Sequence, residues 1–225
     1  MTLLNLAKLP ITTIDLSPGS HLLINSVTWE QYEALLADLG DDRHIPRINY
    51  CNGTLEIMSP LPAHERPHRI IAHIVTTLLD AQERPWEDFG STTFKKSQQA
   101  GLEPDTCFYI QNAEQVRSLM RLDMAINPPP DLAIEADLTS KTTLNTYAAL
   151  QVPEVWIYDR GHLTLYLLQD DGYQTSTTSR VFPNLPIATW IPQLIEEALA
   201  TGTSTMLRNL RRQLSTATPS NPTEH

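Results

Sequence analysis

The sequence feature that most constrains the fold is a short apolar segment, 131–138, which carries acidic residues where a buried strand is expected. Three consecutive prolines at 128–130 hold the approach to this segment extended, and the run DLAIEADL follows them. A continuous apolar run of this length predicts a central strand that is buried on both faces. Because strand side chains alternate, Glu135 and Asp137 lie on the same face of that strand.

Helical and extended patterns alternate along the rest of the chain. Helices are predicted over 28–39, 63–81, 113–120 and the TTLNTYAAL segment, with one or two more between 187 and about 214. Further strands are predicted over 89–97 and in the runs TCFYI, VPEVWIYD and HLTLYLL. The Asn52-Gly53 pair predicts a hairpin, because both residues tolerate a positive φ. This alternation indicates an α/β fold.

A second acid, Asp105, stands at the start of the strand-like run TCFYI, directly after Pro104. An unpaired carboxylate in an apolar strand costs several kcal/mol, so Asp105 and Glu135 need a partner. A divalent cation would keep both acids charged. The alternative is that they pair with arginine or cap a neighbouring helix, and their spacing alone leaves this open.

The overall charge limits which partners the surface can bind. A net charge of −10 disfavours a surface that binds nucleic acid everywhere, because phosphate contacts are made by Lys and Arg. A basic cleft would have to draw on a small set of residues, namely Lys95, Lys96, Arg117, Arg121, Arg208, Arg211 and Arg212. No apolar stretch approaches the roughly 20 residues of a membrane span, so we expect a cytoplasmic protein without membrane contact.

The segment His64-Glu65-Arg66-Pro67-His68 formally matches the zinc-protease motif HExxH. That motif requires an uninterrupted helix that presents two imidazoles one turn apart, and Pro67 removes a backbone hydrogen bond from such a helix. We therefore reject a zinc protease. His64 and Glu65 are expected instead near the mouth of the functional cleft.

Several blocks of the sequence, in this order, resemble one family. The blocks are YCNGTLEIMSP followed by His-Glu, then GLEPDTCFYI, PPPDLAIEADLTSKT and YAALQVPEVWIYD. They are similar to the Uma-type family of restriction-endonuclease-like proteins, a branch of the PD-(D/E)XK nuclease superfamily, over residues 47–182. The resemblance implies an α/β fold with a restriction-endonuclease-like core, in which helices flank a mixed central β-sheet.

The resemblance also implies a metal site. In that superfamily an Asp and a Glu on neighbouring strands hold Mg²⁺, and these acids fall on Asp105 and Glu135, with Glu56 as a third acid from an earlier element. The implied cofactor is Mg²⁺, with Mn²⁺ as the alternative, and the implied partner is DNA. The implied reaction is metal-assisted hydrolysis of a phosphodiester bond, in which the cation lowers the pKa of a bound water.

The sequence departs from the superfamily pattern where a lysine is expected two residues beyond the Glu, because this chain has Asp137 there. Lys96 is our candidate for the missing ammonium group, which would orient the attacking water, and Lys95 and Lys141 are weaker candidates. Strand alternation places Lys95 and Lys96 on opposite faces, so at most one of them faces the metal. The choice of Lys96 rests on a predicted hairpin pairing of residues 94–97 with the strand that begins at Asp105. Asp137 either supports the metal site or caps the helix that follows.

We expect residues 1–45 to form a strand and helix extension packed on the core, 46–214 to form the nuclease-like domain, and 215–225 to be a disordered tail. A homodimer is expected because closed two-fold assemblies are the commonest.

The displaced lysine and the acidic charge support a second hypothesis. In it, the chain is a catalytically silent nuclease-fold protein that acts as a binding or regulatory module.

Overall fold

The computed structural model describes residues 16–40, 46–59, 62–120, 122–136 and 142–217. The strands in these ranges are β1 (His21–Asn25), β2 (Arg47–Cys51), β3 (Thr54–Met58), β4 (Glu87–Asp88), β5 (Phe94–Lys96), β6 (Ala100–Leu102), β7 (Thr106–Tyr109), β8 (Leu132–Ala136), β9 (Glu154–Asp159), β10 (His162–Gln169) and β11 (Gly172–Ser176). The helices are α1 (Trp29–Leu39), α2 (Pro62–Ala81), α3 (Ala113–Val116), α4 (Thr142–Ala149), α5 (Ile187–Thr201) and α6 (Thr203–Ala217).

The strands form two sheets. The first sheet has the order β1-β3-β2-β6-β5, and its neighbouring strands are all antiparallel. The second sheet has the order β11-β10-β9-β8-β7-β4, and it is mixed because β8 and β9 run parallel while the other pairs are antiparallel. The predicted α/β fold is therefore confirmed, with two sheets in place of one central sheet.

Three hydrophobic cores hold the sheets and helices together. The largest lies between one face of the second sheet and helices α2, α5 and α6. The opposite face of the second sheet packs against α4 and against β5 and β6 of the first sheet. A smaller core joins α1 to β2 and β3. The first sheet and α4 thus share one side of the second sheet, where the candidate site lies.

Local signals in the sequence account for the early elements. Thr28 caps α1, since its Oγ1 accepts from the backbone N–H of Gln31 at 3.3 Å, and Gln31 Oε1 accepts from the N–H of Thr28 at 2.8 Å. The hairpin between β2 and β3 turns at Asn52 and Gly53, whose φ angles are 46° and 87°. Both positive values are those that a two-residue hairpin turn requires.

The pairing of β5 differs from the prediction, which joined residues 94–97 to the strand that begins at Asp105. In the structure β5 pairs with β6, through a tight turn in which Gln98 has a φ of 60°. The chain then leaves the first sheet after Leu102 and enters the second sheet at Thr106. Pro104, which has no N–H to donate to a ladder, lies in this link.

Two predicted elements differ in extent. The helix predicted over 113–120 ends as α3 at Val116, and the chain then turns. The segment 89–97 is a strand only at β5, because the chain turns at Gly90, which has a φ of 54°. Helix α2 continues through Pro67, its sixth residue, so the interruption predicted at this proline is not observed. Within the described ranges, no helix is long and apolar enough to cross a membrane.

Gly101 allows α1 to approach the first sheet, and this contact yields a stability prediction. A Cβ atom on Gly101 would lie 2.0 Å from Tyr32 Oη and 2.5 Å from its Cζ. Tyr32 is fully buried and stacks on Tyr50, so it has no room to move. Gly101→Ala should therefore lower the free energy of unfolding by roughly 1–3 kcal/mol, measured by denaturant titration. In a Tyr32→Ala background the same change should cost much less. Equal costs in the two backgrounds would contradict this explanation.

Candidate active site

Polar side chains from both sheets and two helices meet at the link between β6 and β7. Hydrogen bonds, ion pairs or electrostatic interactions connect them to one another. We call this group the junction cluster, and its members are Arg47, Asn49, Glu56, His68, Glu103, Asp105, Glu135 and Tyr147. It contains all three acids that the sequence predicted for the metal site.

Strand register explains how the acids come together. In the first sheet Asn49 pairs with Glu56, and Arg47 lies two residues before Asn49, on the same face. In the second sheet Thr106 pairs with Ile134, so one further step of the same register sets Asp105 opposite Glu135. The Asp105 carboxylate bonds back to this strand, since its Oδ2 accepts from the N–H of Ala136 at 2.6 Å. Cross-strand neighbours of this kind have Cβ atoms roughly 4.5–5.5 Å apart.

Asp105 already has a cationic partner. Its Oδ1 forms an ion pair with Nη1 of Arg47, and the two side chains are 8% and 10% exposed. Nδ1 of His68, on α2, lies 3.6 Å from Oδ2 of the same carboxylate. Pairing with an arginine, the alternative that the spacing left open, is therefore what this structure shows for Asp105.

Glu135 is buried on β8 and is held by α4. The Tyr147 hydroxyl donates a hydrogen bond to Oε1 of Glu135. Burial raises the pKa of Glu135 to about 7, and the nearby charge of Glu56 adds to this rise, while the Tyr147 bond and the charge of Arg47 oppose it. The carboxyl therefore loses its proton near neutral pH.

Glu56 is the most deeply buried of the three predicted acids, at 1% exposure. Its Oε2 accepts a long hydrogen bond of 3.5 Å from Nδ2 of Asn49. Its Oε1 is buried and has no hydrogen-bond partner among the described residues. Buried acceptors are nearly always satisfied, so this oxygen is suited to a cation or a water molecule.

Glu103 is a fourth acid, which the sequence analysis did not select. Its carboxylate accepts from the N–H of Ile48 at 3.3 Å and from Thr93 Oγ1 at 2.8 Å. Its own N–H donates to Asn49 Oδ1 at 3.2 Å. Through these bonds Glu103 connects the link between the sheets to β2 and to Thr93, the residue just before β5. Glu103 therefore holds the first sheet in place beside Asp105.

The charge balance of the junction cluster favours a hard cation. The buried or nearly buried carboxyl groups of Asp105, Glu135 and Glu56 interact with one another or with one arginine and one histidine. Oxygen donors of this kind suit Mg²⁺ or Mn²⁺. The described residues nevertheless contain no group of three His, Cys, Asp or Glu side chains arranged to hold a metal ion. The donor chemistry fits the implied ion, while the ion pair with Arg47 occupies one of the donor oxygens.

The two lysines on β5 point to different helices, as strand alternation predicts. Nζ of Lys96 donates to the Ala149 carbonyl at 3.1 Å, at the C-terminal end of α4. Nζ of Lys95 pairs with Glu33 of α1 at 3.1 Å. No contact is described between either lysine and the predicted acids, and a catalytic role for Lys96 stays a prediction.

Several predicted residues lie outside the described part of the chain. They are Arg121, Asp137 and Lys141, together with the side chains of His64 and Glu65.

Sequence reasoning missed the partners of the acids. His68 was considered only as the second histidine of the HExxH-like segment, although it contacts Asp105. Arg47 is the first residue of a strand that is buried along its whole length. A charged residue in such a strand indicates a buried partner, so the sequence did contain a signal for Arg47. Tyr147 gave no signal, since an aromatic residue on a short helix is most simply explained as part of the core.

The raised pKa of Glu135 makes stability depend on pH. The group has an ordinary value of 4.5 and a folded value of about 7, so between these values the folded state holds a proton that the unfolded state releases. In metal-free buffer with EDTA, stability should fall as pH rises from about 4.5 to 7, by on the order of 1 kcal/mol per pH unit. The matched variant Glu135→Gln should flatten this part of the profile. Denaturant titrations across the range test this, and parallel profiles for the two proteins would contradict it.

Comparison with known proteins agrees with this architecture. The family model Uma2, described as "Putative restriction endonuclease", matches residues 29–200. No curated protein sequence matches the chain. A solved structure from Anabaena variabilis, described as "a putative nuclease belonging to DUF820", is 15% identical, with a TM-score of 0.50 over 80% of this chain and 99% of that chain. This likeness shows a shared fold. The family match spans well over half of the chain, which therefore belongs to the Uma2 family and has its restriction-endonuclease-like fold.

Proposed function

We propose that the junction cluster is the active site of a metal-dependent endonuclease that hydrolyses DNA phosphodiester bonds, with Mg²⁺ as the ion and Mn²⁺ as the alternative. One observation carries the proposal: the carboxyl groups of Asp105, Glu135 and Glu56 interact with one another or with the shared Arg47, and a buried oxygen of Glu56 has no partner there among the described residues. Membership of a family described as restriction endonucleases supports DNA as the substrate.

Each acid has a separate part in this proposal. Asp105 and Glu135 bind the ion, and Glu56 assists with its Oε1, which has no partner among the described residues. Tyr147 restrains Glu135 through one carboxylate oxygen, which reduces the motion that would be lost on binding. When bound, the metal ion supplies Lewis-acid stabilisation of the phosphate and lowers the pKa of a water molecule. Lys96 orients that water in our proposal.

The distribution of basic residues gives DNA one region to contact. Several candidates are already paired with acids, since Lys95 binds Glu33 and Arg117 binds Glu87. Helix α6 differs, because its sequence contains neither Asp nor Glu. Its three arginines are exposed, and they are Arg208, Arg211 and Arg212. We propose that they contact the phosphate backbone, which carries most of the affinity of such proteins for DNA.

The proposal predicts that cleavage depends on the metal and on the buried acids. The wild-type chain should take up Mn²⁺ or Mg²⁺ and cut duplex DNA, and EDTA should abolish the cutting. Asp105→Asn and Glu135→Gln keep the side-chain shape but remove the charge, so each should weaken ion binding and lower cleavage by about a hundredfold or more. The measurements are calorimetric titration with the ion and a plasmid-nicking assay.

Glu114→Gln is the matched control for these variants, because Glu114 is an exposed acid on α3, and it should cut like the wild type. Retained cleavage in both buried-acid variants would refute the site. Association with DNA without turnover in any divalent ion would favour the catalytically silent binding protein instead.

The second prediction compares the two lysines of β5. Lys96→Ala should lower turnover and leave ion affinity largely intact, because positioning a water contributes to the transition state more than to ground-state binding. Lys95→Ala is the matched control, since it loses only a half-exposed ion pair with Glu33 and should cut like the wild type. Thermal unfolding checks that loss of the Lys96 bond to Ala149 leaves the fold intact. Normal cleavage by Lys96→Ala, beside an inactive Asp105→Asn, would show that Lys96 is not needed.

A further inference from the structure

We infer that Arg66 and Arg69, on the exposed side of α2, bind the phosphate backbone of duplex DNA beside the junction cluster. The inference rests on the proposed nuclease function, and it extends the DNA-contacting surface from α6 to α2, the helix against which α6 packs. Neither arginine is among the basic candidates that the sequence analysis selected. The inference does not depend on where a metal ion binds.

Both guanidinium groups are available to a partner from outside the chain. Arg66 and Arg69 are exposed, and neither side chain has a hydrogen bond or an ion pair within the part of the chain that the structure describes. Most other basic side chains in that part are bound by acids or backbone carbonyls, and they include Lys95, Lys96, Arg117 and Arg180. The two arginines can therefore bind an anion without breaking an existing contact.

The position of the two arginines along α2 is unfavourable for the helix itself. Residues three apart are neighbours on a helix surface, and like charges at this spacing repel each other. Cations are favoured near the C-terminal end of a helix rather than its N-terminal end. Arg66 and Arg69 are the fifth and eighth residues of α2, whereas its last turn contains no basic residue. Helix stability does not account for this placement, while a bound phosphate backbone would offset the repulsion.

His68 fixes the position of the arginines relative to the junction cluster. It stands between them in the sequence, and its Nδ1 lies 3.6 Å from Oδ2 of Asp105. Successive helix residues turn by about 100°, so Arg66 and Arg69 project away from the side of α2 that faces Asp105. They lie within one helix diameter of that carboxylate, roughly 10–12 Å including side chains. The major groove of DNA is about 12 Å wide, so a duplex with one phosphate at the junction cluster brings further phosphates within reach.

The inference predicts a specific change in the salt dependence of DNA binding. Each phosphate contact that is lost lowers the slope of log affinity against log salt concentration by about 0.9. Arg66→Gln combined with Arg69→Gln should therefore lower the slope by about 1.8, and should weaken binding roughly tenfold or more at physiological ionic strength. Arg66→Lys combined with Arg69→Lys retains both charges, so its slope should stay close to that of the wild type.

Binding is measured on the full chain in EDTA, where no metal-dependent cleavage interferes, by fluorescence anisotropy of a labelled DNA duplex at several NaCl concentrations. Arg117→Gln combined with Arg180→Gln is the matched control, because it removes the same charge. The partners of these residues, Glu87 and Leu168, lie at the end of the second sheet that is remote from Asp105. The control should therefore keep the wild-type slope. Thermal unfolding should give the same Tm for the wild type and the glutamine variant of α2, whose substituted side chains make no described bonds.

An unchanged slope in the glutamine variant of α2 would overturn the inference, as would an equal loss of slope in the control or in the lysine variant. If the glutamine variant shows the expected loss but the wild type cuts no DNA in Mg²⁺, the proposed nuclease function fails and the inference stands. If the wild type cuts DNA and the slope does not respond, the inference fails and the function stands. A wild type that does not bind DNA would also refute the inference.

Discussion

The structure depends on the need to satisfy several carboxylates buried where the chain passes from one sheet to the other. Glu103 bonds toward the first sheet, through Ile48 and Asn49, and Asp105 bonds toward the second, through Ala136. Two acids separated by a single proline thus fasten the two sheets to each other. An acid left without its partners here would cost several kcal/mol. The same hydrogen bonds therefore determine both the relative position of the sheets and the arrangement of the site.

The ion pair between Arg47 and Asp105 specifies this arrangement more than it stabilises it. Desolvating two charges offsets most of the attraction between them, although removal of one partner from a buried pair typically costs about 3–5 kcal/mol. Any packing that separates β2 from β7 would therefore leave a buried charge without its partner and would be less stable.

Local signals allowed much of the fold to be predicted, and contacts between distant segments account for the rest. The Thr28 cap and the Asn52-Gly53 turn are set by neighbours in the chain, and the buried acid-bearing strand of Glu135 is set by its own apolar run. The division into two sheets depends on where the chain after β6 finds a partner, which no local pattern encodes. For the same reason Arg47 was missed, since it lies 58 residues before Asp105 and becomes a partner only through the fold.

A proton on Glu135 and the guanidinium of Arg47 partly neutralise the buried acids, and this links the stability of the fold to the electrostatics of the site. Glu135 retains a proton up to near neutral pH, and Arg47 balances Asp105. Neither group satisfies Glu56, whose buried Oε1 has no hydrogen-bond partner among the described residues. In the function that we propose, a divalent cation would supply the charge that this oxygen still lacks.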